Sequence, residues 1–429
     1  MIVVLGYGRE TRAWLERRGT GAAAPVLVID EIGTGLDDLE VAEGAVVDLD
    51  DVVNVRAAIG GRPVEAVVRS PGVSPYRAGP AWLLTQAPGT TPTGLWLAEH
   101  APDDLLALTG TKGKSTATAM TAHLLRAAGR RVVLAGNIGV ALTTVDPATE
   151  RDDLIVELSS YQIADLSLTR PAVAAAVTTL FTDHVPWHGS VERYHADKLR
   201  LLDRASWRVV GPQVAGLAVA AGRYDAVAGD PTPEVSDALA RAGMHGVHEG
   251  QAAMLALALT ARRLGTDAVD LVDALASFEP LPHRLRPIAT VRERTFVDDS
   301  ISTVPESALA ALSTWRTRGP VTLIVGGDDR GQDLSGLITA LADPEVRMAL
   351  LPPLGTRLAD SLRNLSAGTA ERVHEADDLA AAVAWSDGVT PAGGAVVLSP
   401  AAPSFGAFRD FVHRGEVFAT LVADLRSER

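Results

Sequence analysis

The stretch of this sequence best equipped for chemistry is Gly110-x-x-Gly113-Lys114-Ser115, set between a strand-like apolar run and a helical segment. Glycines let backbone N–H groups close around a phosphate, and the start of a helix adds a favourable dipole. A lysine at 114 would reach the terminal phosphates of a nucleotide, and a serine at 115 would hold Mg²⁺. The motif is two residues shorter than the eight-residue phosphate-loop pattern, because Leu108 occupies the first glycine position. A tight turn with a solvated lysine is the bland alternative. The order strand, glycines, Lys-Ser, helix favours phosphate.

Other reactive types stand at the ends of neighbouring apolar runs. Glu157 follows Leu154–Val156, and Asp183-His184 follows Val173–Leu180. Ligands gather at the carboxyl ends of parallel strands, where a carboxylate and an imidazole can bind a metal beside phosphates. Singly, each reads as a polar strand end or a backbone-bonded histidine; the three strand ends together favour function. Lys198 lies in an amphipathic segment and alone reads as a solvated surface lysine. Asn137, after Gly136, alone reads as a turn residue. Gly6-Tyr7-Gly8 is half of a dinucleotide fingerprint, with Thr11 in place of the third glycine. Hydride chemistry is therefore poorly supported, and a nucleotide-holding turn and a ligand-free turn remain equally open.

The elements that must hold these residues alternate along the whole chain. Short apolar runs followed by helical stretches predict an α/β protein with parallel sheets covered on both faces. Strands are expected at Ile2–Leu5, Val26–Ile29, Val67–Val68, Leu105–Leu108, Val132–Leu134, Leu154–Val156 and Val173–Leu180, and later near Thr295–Val297, Val321–Val325, Met348–Leu351 and Ala395–Leu398. The Pro/Gly/Thr-rich stretch Ala87–Gly94 reads as a linker, and a further unit begins near Pro280. The boundaries are 1–92, 93–280 and 281–429, three domains for 429 residues.

Bulk composition agrees. Hydrophobic residues are 47% and charged residues 21%, enough for several cores. A net charge of -14 gives nucleic-acid binding no support, so any phosphate site must be local. With no cysteine, disulfides, thiolate metal sites and thiol nucleophiles are excluded. Met1–Gly6 reads as a first strand rather than a signal peptide, and no apolar run is long enough to enter a membrane.

Read together, these residues resemble the Mur ligase family over nearly the whole chain. The run Thr109–Thr116 resembles the family's ATP loop. Gly136-Asn-Ile-Gly139, Glu157-Leu-Ser-Ser-Tyr-Gln162, Thr182-Asp-His184, Tyr194-His-Ala-Asp-Lys198, Pro282-His-Arg284, Asp299-Ser300, Gly326-Gly-Asp328 and Ser399-Pro-Ala401 follow in the family's order. Within the family, Glu157–Gln162 and Ser404 through Phe411 to Arg414-Gly415 look most like the glutamate-adding ligase.

The resemblance implies a Rossmann-like UDP-binding domain over 1–92, a P-loop-type ATPase domain over 93–280 and a Rossmann-like amino-acid domain over 281–429. It implies that Gly110, Thr111, Lys112, Gly113, Lys114, Ser115 and Thr116, with Arg284 and Asp299, bind ATP. Ser115, Glu157, His184 and a carbamylated Lys198 would surround Mg²⁺, and Lys114, His184 and Lys198 would be catalytic. Gly8, Asp30 and Ser70 would lie near UDP; Asn137, Ser159 and Gln162 would face muramoyl-alanine. Thr303, Arg330, Ser404 and Phe411 would form the glutamate pocket. The implied protein is a cytoplasmic monomer acting on UDP-N-acetylmuramoyl-L-alanine and glutamate through an acyl phosphate.

Three departures from the family pattern bear on substrate choice. Ile301 replaces a lysine, Arg330 replaces the usual glutamate-binding lysine, and Ala252 stands at the adenine-side asparagine. The Asp298-Asp-Ser-Ile-Ser-Thr303 stretch looks like a branch that adds L-glutamate, with a separate epimerase inverting it later. Alternatives are D-glutamate addition, a related ligase of secondary metabolism, and a nucleotide-binding regulator without catalysis. The regulator is disfavoured by the intact Lys114, Ser115, Glu157, His184 and Lys198.

Overall fold

The computed structural model describes the chain apart from residues 20–23, 34–35, 37–38, 40–41, 101–102, 139, 167, 245, 330, 332, 363–370, 405 and 428–429. Arg330, and Gly139 of the Gly136–Gly139 motif, lie outside the described residues. The chain divides into two compact units, Met1–Ala242 with His248–Phe278, and Gly243–Val247 with Glu279–Arg429. The first unit carries two sheets and the second carries one.

The first sheet is built from β1 (Ile2–Leu5), β2 (Val26–Asp30), β3 (Glu43–Val46), β4 (Ala66–Arg69) and β5 (Gly89–Thr90), in the order β3-β2-β1-β4-β5. Every pairing is parallel. Its central strands are short β-branched runs buried on both faces, as a helix-covered parallel sheet requires. The order reverses at β1, which places the turn after β1 and the end of β4 beside each other, the usual crevice for a ligand.

The expected linker Ala87–Gly94 is instead structured. It forms β5 and opens the helix Pro92–His100. A Cβ on Gly89 would sit 2.1 Å from Leu84, so that glycine serves packing. Thr91 Oγ1 accepts from Gly94 N–H at 3.1 Å, and proline in the first helical turn loses no hydrogen bond.

The second sheet contains β6 (Leu105–Thr109), β7 (Val132–Gly136), β8 (Asp153–Glu157), β9 (Ala174–Val177), β10 (Arg208–Val210) and β11 (Ala226–Val227). They run parallel in the order β11-β10-β9-β6-β8-β7. Strand β6, Leu-Leu-Ala-Leu-Thr, is buried at every position and lies centrally, flanked by β8 and β9. Its core joins Leu105, Ala107, Leu154, Val156, Ala175 and Val177. Three strand ends that bear candidate residues are thereby set side by side.

The second unit's sheet has the order β12-β13-β17-β14-β15-β16, from β12 (Arg286–Val291), β13 (Arg294–Asp298), β14 (Val321–Gly326), β15 (Val346–Leu351), β16 (Val373–Glu375) and β17 (Ala395–Leu398). Parallel pairing holds except at the edge, where β12 and β13 form an antiparallel hairpin. Among the described residues no helix is long and apolar enough to cross a membrane.

Candidate active site

The loop after β6 is shaped by its glycines. Gly110 has φ +149°, and a Cβ there would sit 1.9 Å from Thr178 Oγ1. Only glycine lets the loop pass so close to the end of β9. Gly113 adopts left-handed φ 78° and leads directly into the helix Lys114–Ala127, which has no side-chain cap. Uncapped amides of a helix start suit an anion. The loop is pinned from below: Thr111 N–H donates to Thr179 O at 2.6 Å, Lys112 N–H to Thr179 Oγ1 at 2.9 Å, and Thr178 Oγ1–H to Lys112 O at 2.5 Å. Lys114 Nζ donates to Thr111 O at 3.0 Å, and Ser115 is buried. Thr116 follows in the same helix, half-buried.

The neighbouring strand ends bring the other candidates to this loop. Glu157 closes β8 and is fully buried; its Oε1 accepts from Asn137 Nδ2 at 2.9 Å, while its Oε2 has no hydrogen-bond partner. Asn137 N–H also donates to Glu157 O at 2.8 Å. Lys198, on the helix Val191–Leu199 that Ser190 caps, is 2% exposed, and its Nζ donates to Gly110 O at 2.8 Å. The surface reading of Lys198 taken alone is therefore wrong. Burial and then the adjacent Lys114 cation hold its pKa well below the ordinary lysine value, against the pull of Asp183 and Glu157. His184, in left-handed φ 52°, has its pKa pushed down to about 4, chiefly by burial; Asp183 pulls it up, while Lys198 and Lys114 push it further down. Tyr194 Oη lies 2.7 Å from Thr111 Oγ1. Lys114, Glu157, His184 and Lys198 are thus one electrostatically coupled group.

The residues present suit a divalent cation. Glu157 Oε2 is a buried carboxylate oxygen without a donor, and the Ser115 hydroxyl at the helix start is buried too; oxygen ligands of this kind suit a hard cation. No group of three His, Asp or Glu side chains able to hold a metal occurs among the described residues. Glu157, His184 and Ser115 would share the ion with phosphate oxygens rather than enclose it.

In the first sheet, Gly6, Gly8 and Ser70 converge. A Cβ on Gly8 would lie 2.8 Å from Ser70 Oγ, and one on Gly6 3.0 Å from Ser70 Cβ. Asp30 Oδ2 accepts from Tyr7 N–H at 2.5 Å and Oδ1 from Ile32 N–H at 2.8 Å. Burial raises the Asp30 pKa, but these amides outweigh it and hold the carboxylate below its usual range. Asp30 therefore staples the glycine turn to the end of β2.

Arg69, Tyr76 and His188, which sequence alone did not single out, join Asp197, Ser159 and Gln162 in tying this sheet to the second one. Arg69, fully buried at the end of β4, pairs with Asp165 at 2.8 Å and donates to Tyr161 O at 2.9 Å. Tyr76 Oη donates to Asp197, 2.7 Å from Oδ2. His188 Nδ1 lies 2.7 Å from Asp197 Oδ2, and its Nε2 lies 3.0 Å from Ser160 Oγ. Ser159 and Gln162 form a capping box on the helix Ser160–Ile163, and Gln162 Nε2 donates to Glu10 Oε1 at 2.7 Å. Asp197 was within the quoted Tyr194–Lys198 motif; Arg69 at a strand end carried no signal.

In the second unit, Asp299 is buried, its Oδ2 accepting from Ser399 Oγ at 2.7 Å and its Oδ1 from Leu285 N–H at 3.2 Å. Burial raises its pKa to about 7, against the lowering effects of Ser399, Leu285 and the nearby Arg284 cation. Ser404 is buried on the segment whose Pro403 O accepts from Asp328 N–H at 3.0 Å. Phe411 opens the last helix, and its carbonyl accepts from Ser300 Oγ at 2.7 Å. Thr303 is exposed before the helix Pro305–Arg316, and Ile301 N–H donates to His283 O at 3.2 Å; Ala252, in the first unit, is buried within the helix Val247–Leu264.

Known proteins match this arrangement. The Mur ligase middle domain matches residues 108–210, the span holding the phosphate loop, Glu157, His184 and Lys198. A UDP-N-acetylmuramoyl-L-alanine--L-glutamate ligase of a Micromonospora species is 38% identical, covering 99% of this chain and 96% of the relative. The protein of the same name from Salinispora tropica is 37% identical, over 99% and 97%. Among solved structures, UDP-N-acetylmuramate-alanine ligase from Thermotoga maritima has a TM-score of 0.56 at 16% identity, covering 100% of this chain and 99% of its own. MurF from Acinetobacter baumannii has a TM-score of 0.57 at 15% identity, over 99% and 93%. Those two structures share the three-domain α/β fold, and the full-length likeness of sequence carries the assignment further: this chain belongs to the Mur ligase family.

Proposed function

We propose that this protein is an ATP-dependent ligase that joins L-glutamate to UDP-N-acetylmuramoyl-L-alanine during synthesis of a peptidoglycan precursor. One observation carries it: near-full-length likeness to curated ligases of that specificity, with phosphate loop, Glu157, His184 and Lys198 all kept. Residues 1–92 take the UDP portion, around Gly8, Asp30 and Ser70. Residues 93–280 take ATP, and residues 281–429 take glutamate, with Thr303, Arg330, Ser404 and Phe411 in that role. Arg284 and Asp299 belong to the ATP side. The enzyme works in the cytoplasm as a monomer, and an epimerase acting on the muramoyl dipeptide is its functional partner.

A carboxylate is a poor acyl donor at neutral pH. The alanyl carboxylate attacks the γ-phosphorus of ATP, the bond to the bridging oxygen breaks, and ADP leaves. The amine of glutamate then attacks the acyl phosphate, loses a proton and expels inorganic phosphate. The loop amides at 110–115 and Lys114 hold the phosphates, and Asn137, Ser159 and Gln162 orient the acceptor. Positioning and charge neutralisation supply the rate. Ser115, Glu157 and His184 would hold Mg²⁺, which would supply charge compensation for the phosphate oxygens. Lys198 is the carbamylation site: burial disfavours the charged form of its amine, and the neutral amine is the form that adds to CO₂ with loss of one proton. The product is a carboxylate that an unmodified lysine cannot offer.

The test is direct. Enzyme, ATP, Mg²⁺ and UDP-N-acetylmuramoyl-L-alanine are incubated with L- or D-glutamate, and the products are identified by mass and chiral analysis. Formation of the L-glutamyl product with stoichiometric ADP is expected. Exclusive D-glutamyl product would overturn the stereochemical part, and no ligation with either would overturn the function.

A further inference from the structure

Tyr161 touches His184 from a rigid setting. Its Oη lies 2.8 Å from His184 Nδ1, and the two rings meet edge to face at 4.9 Å. The Tyr161 ring also stacks on Trp187, with centroids 4.4 Å apart and planes 21° from parallel. Trp187 is fixed in turn: its Nε1–H donates to Gly72 O at 3.1 Å, and the buried Arg69 guanidinium lies 5.3 Å from its ring centre. Arg69 also donates to the Tyr161 carbonyl at 2.9 Å. The phenol is therefore placed by the end of β4 and by Trp187, while its hydroxyl meets the imidazole.

We infer that Tyr161 is a positioning residue that orients the His184 imidazole for a divalent cation, through the hydrogen bond between Tyr161 Oη and His184 Nδ1. The inference rests on the reading of His184 as a metal ligand and adds a partner that sets its ring. A neutral imidazole that gives Nε2 to a cation carries its proton on Nδ1, and the group that receives that proton fixes the ring. In the other tautomer Nε2 carries the proton toward Asp183, whose Oδ2 lies 3.5 Å away, and Nδ1 accepts. A phenol hydroxyl serves both states, because it donates and accepts. A carboxylate would serve only the first and a phenyl ring neither. Tyr161 thus holds one ring orientation through cation binding and release.

The experiment uses the full chain with a non-hydrolysable ATP analogue and Mn²⁺ as the probe, read as free Mn²⁺ by electron paramagnetic resonance. Tyr161→Phe keeps the stacking on Trp187 and removes only the hydroxyl. Loss of such a partner costs about 10–100-fold in metal affinity, and that weakening is expected. In a His184→Ala background the same change should have no further effect. Tyr161→Phe within twofold of the parent, or an equal loss in both backgrounds, overturns the proposal, since general packing would act regardless of the imidazole. If His184→Ala itself leaves Mn²⁺ affinity unchanged, the metal reading of His184 falls and this proposal with it.

Discussion

Asp299→Asn should make the second unit more stable at alkaline pH and leave it unchanged near pH 4. Asp299 is buried, and its pKa is raised to about 7 from an ordinary 3.8, chiefly by burial. The sign follows from proton counts. Between those values the unfolded chain has released the proton while the folded chain still holds it. The unfolded state binds fewer protons there, so stability falls as pH rises through the window. At 1.36 kcal/mol per unit, a rise from 3.8 to about 7 is on the order of 4 kcal/mol, fully developed above pH 7. Asparagine fits without rearrangement: its oxygen can accept from Leu285 N–H, while its amide N–H faces Ser399 Oγ, which rotates to accept. The assay is hydrogen exchange read by mass spectrometry on peptides covering β13 and β17, which flank the site. The opening free energies of the two proteins are compared from pH 4 to pH 9. Other titrating groups are common to both and cancel in the difference. A difference that grows with pH and levels off above pH 7 is expected; a flat difference would refute the burial argument. The variant should at the same time lose ligase activity, because the carboxylate is assigned to the ATP side. That pairing of gained stability with lost function is expected where a strained charge serves catalysis.

Further outcomes follow from the site. Lys114→Ala removes a cation that faces developing negative charge, so kcat should fall by about 10²-fold or more, measured by coupled ADP release on protein of unchanged melting temperature. Lys198→Ala should be nearly inactive and partly restored by short carboxylic acids, and intact-mass analysis of the parent under bicarbonate should show one CO₂ adduct that the variant lacks. L-glutamate should exceed D-glutamate in kcat/KM by roughly ten- to hundredfold, the worth of a charge-assisted hydrogen bond of about 1.5–3 kcal/mol. If the Arg330 fork is the cause, Arg330→Lys should narrow that ratio, and faster use of D-glutamate would sink the idea.

What could be read from the sequence was what neighbours along the chain decide. The phosphate loop was legible because strand, glycines and helix start are local and each has its own signature. Glu157 was legible as a strand end once parallel pairing was assumed, whereas His184 lies past the end of β9 at Val177, short of the expected Leu180, and sits at the N-cap of the helix Val185–His188. Lys198 was not legible alone, since its burial comes from Gly110, 88 positions away. Arg69 was missed for the same reason: a basic residue ending a strand looks solvated, and its partner Asp165 is 96 positions on. Ala87–Gly94 was misread as a linker because Pro, Gly and Thr mark helix starts and tight packing as readily as loops. The β12–β13 hairpin was missed because its turn is Arg292-Glu293, two residues at positive φ without the usual Gly, Asn or Asp. Arg330, on which much of the stereochemical argument rests, lies outside the described residues.

The arrangement around the phosphate loop bears on the proposed ATP site. Lys114 and Lys198 repel one another, and burial together with that repulsion holds the Lys198 pKa down. Glu157 answers them with only part of its carboxylate, because Oε1 is taken by Asn137 and Oε2 has no donor. His184 is partly open to solvent, and desolvation together with the Lys198 and Lys114 cations pushes its pKa down to about 4, so it offers a lone pair rather than a positive charge. On the proposed reading, Lys114 offers a cation to phosphate oxygens, Glu157 offers a carboxylate oxygen without a donor, and burial disfavours the charged form of Lys198. The cost of burying them is met in folding rather than at the moment of reaction, which is the condition under which fixed charges lower a barrier. Glu157→Gln replaces that buried carboxylate, a proposed Mg²⁺ ligand, by a neutral amide, and should therefore lose turnover. Unchanged turnover in that variant would show that the buried carboxylate is merely structural.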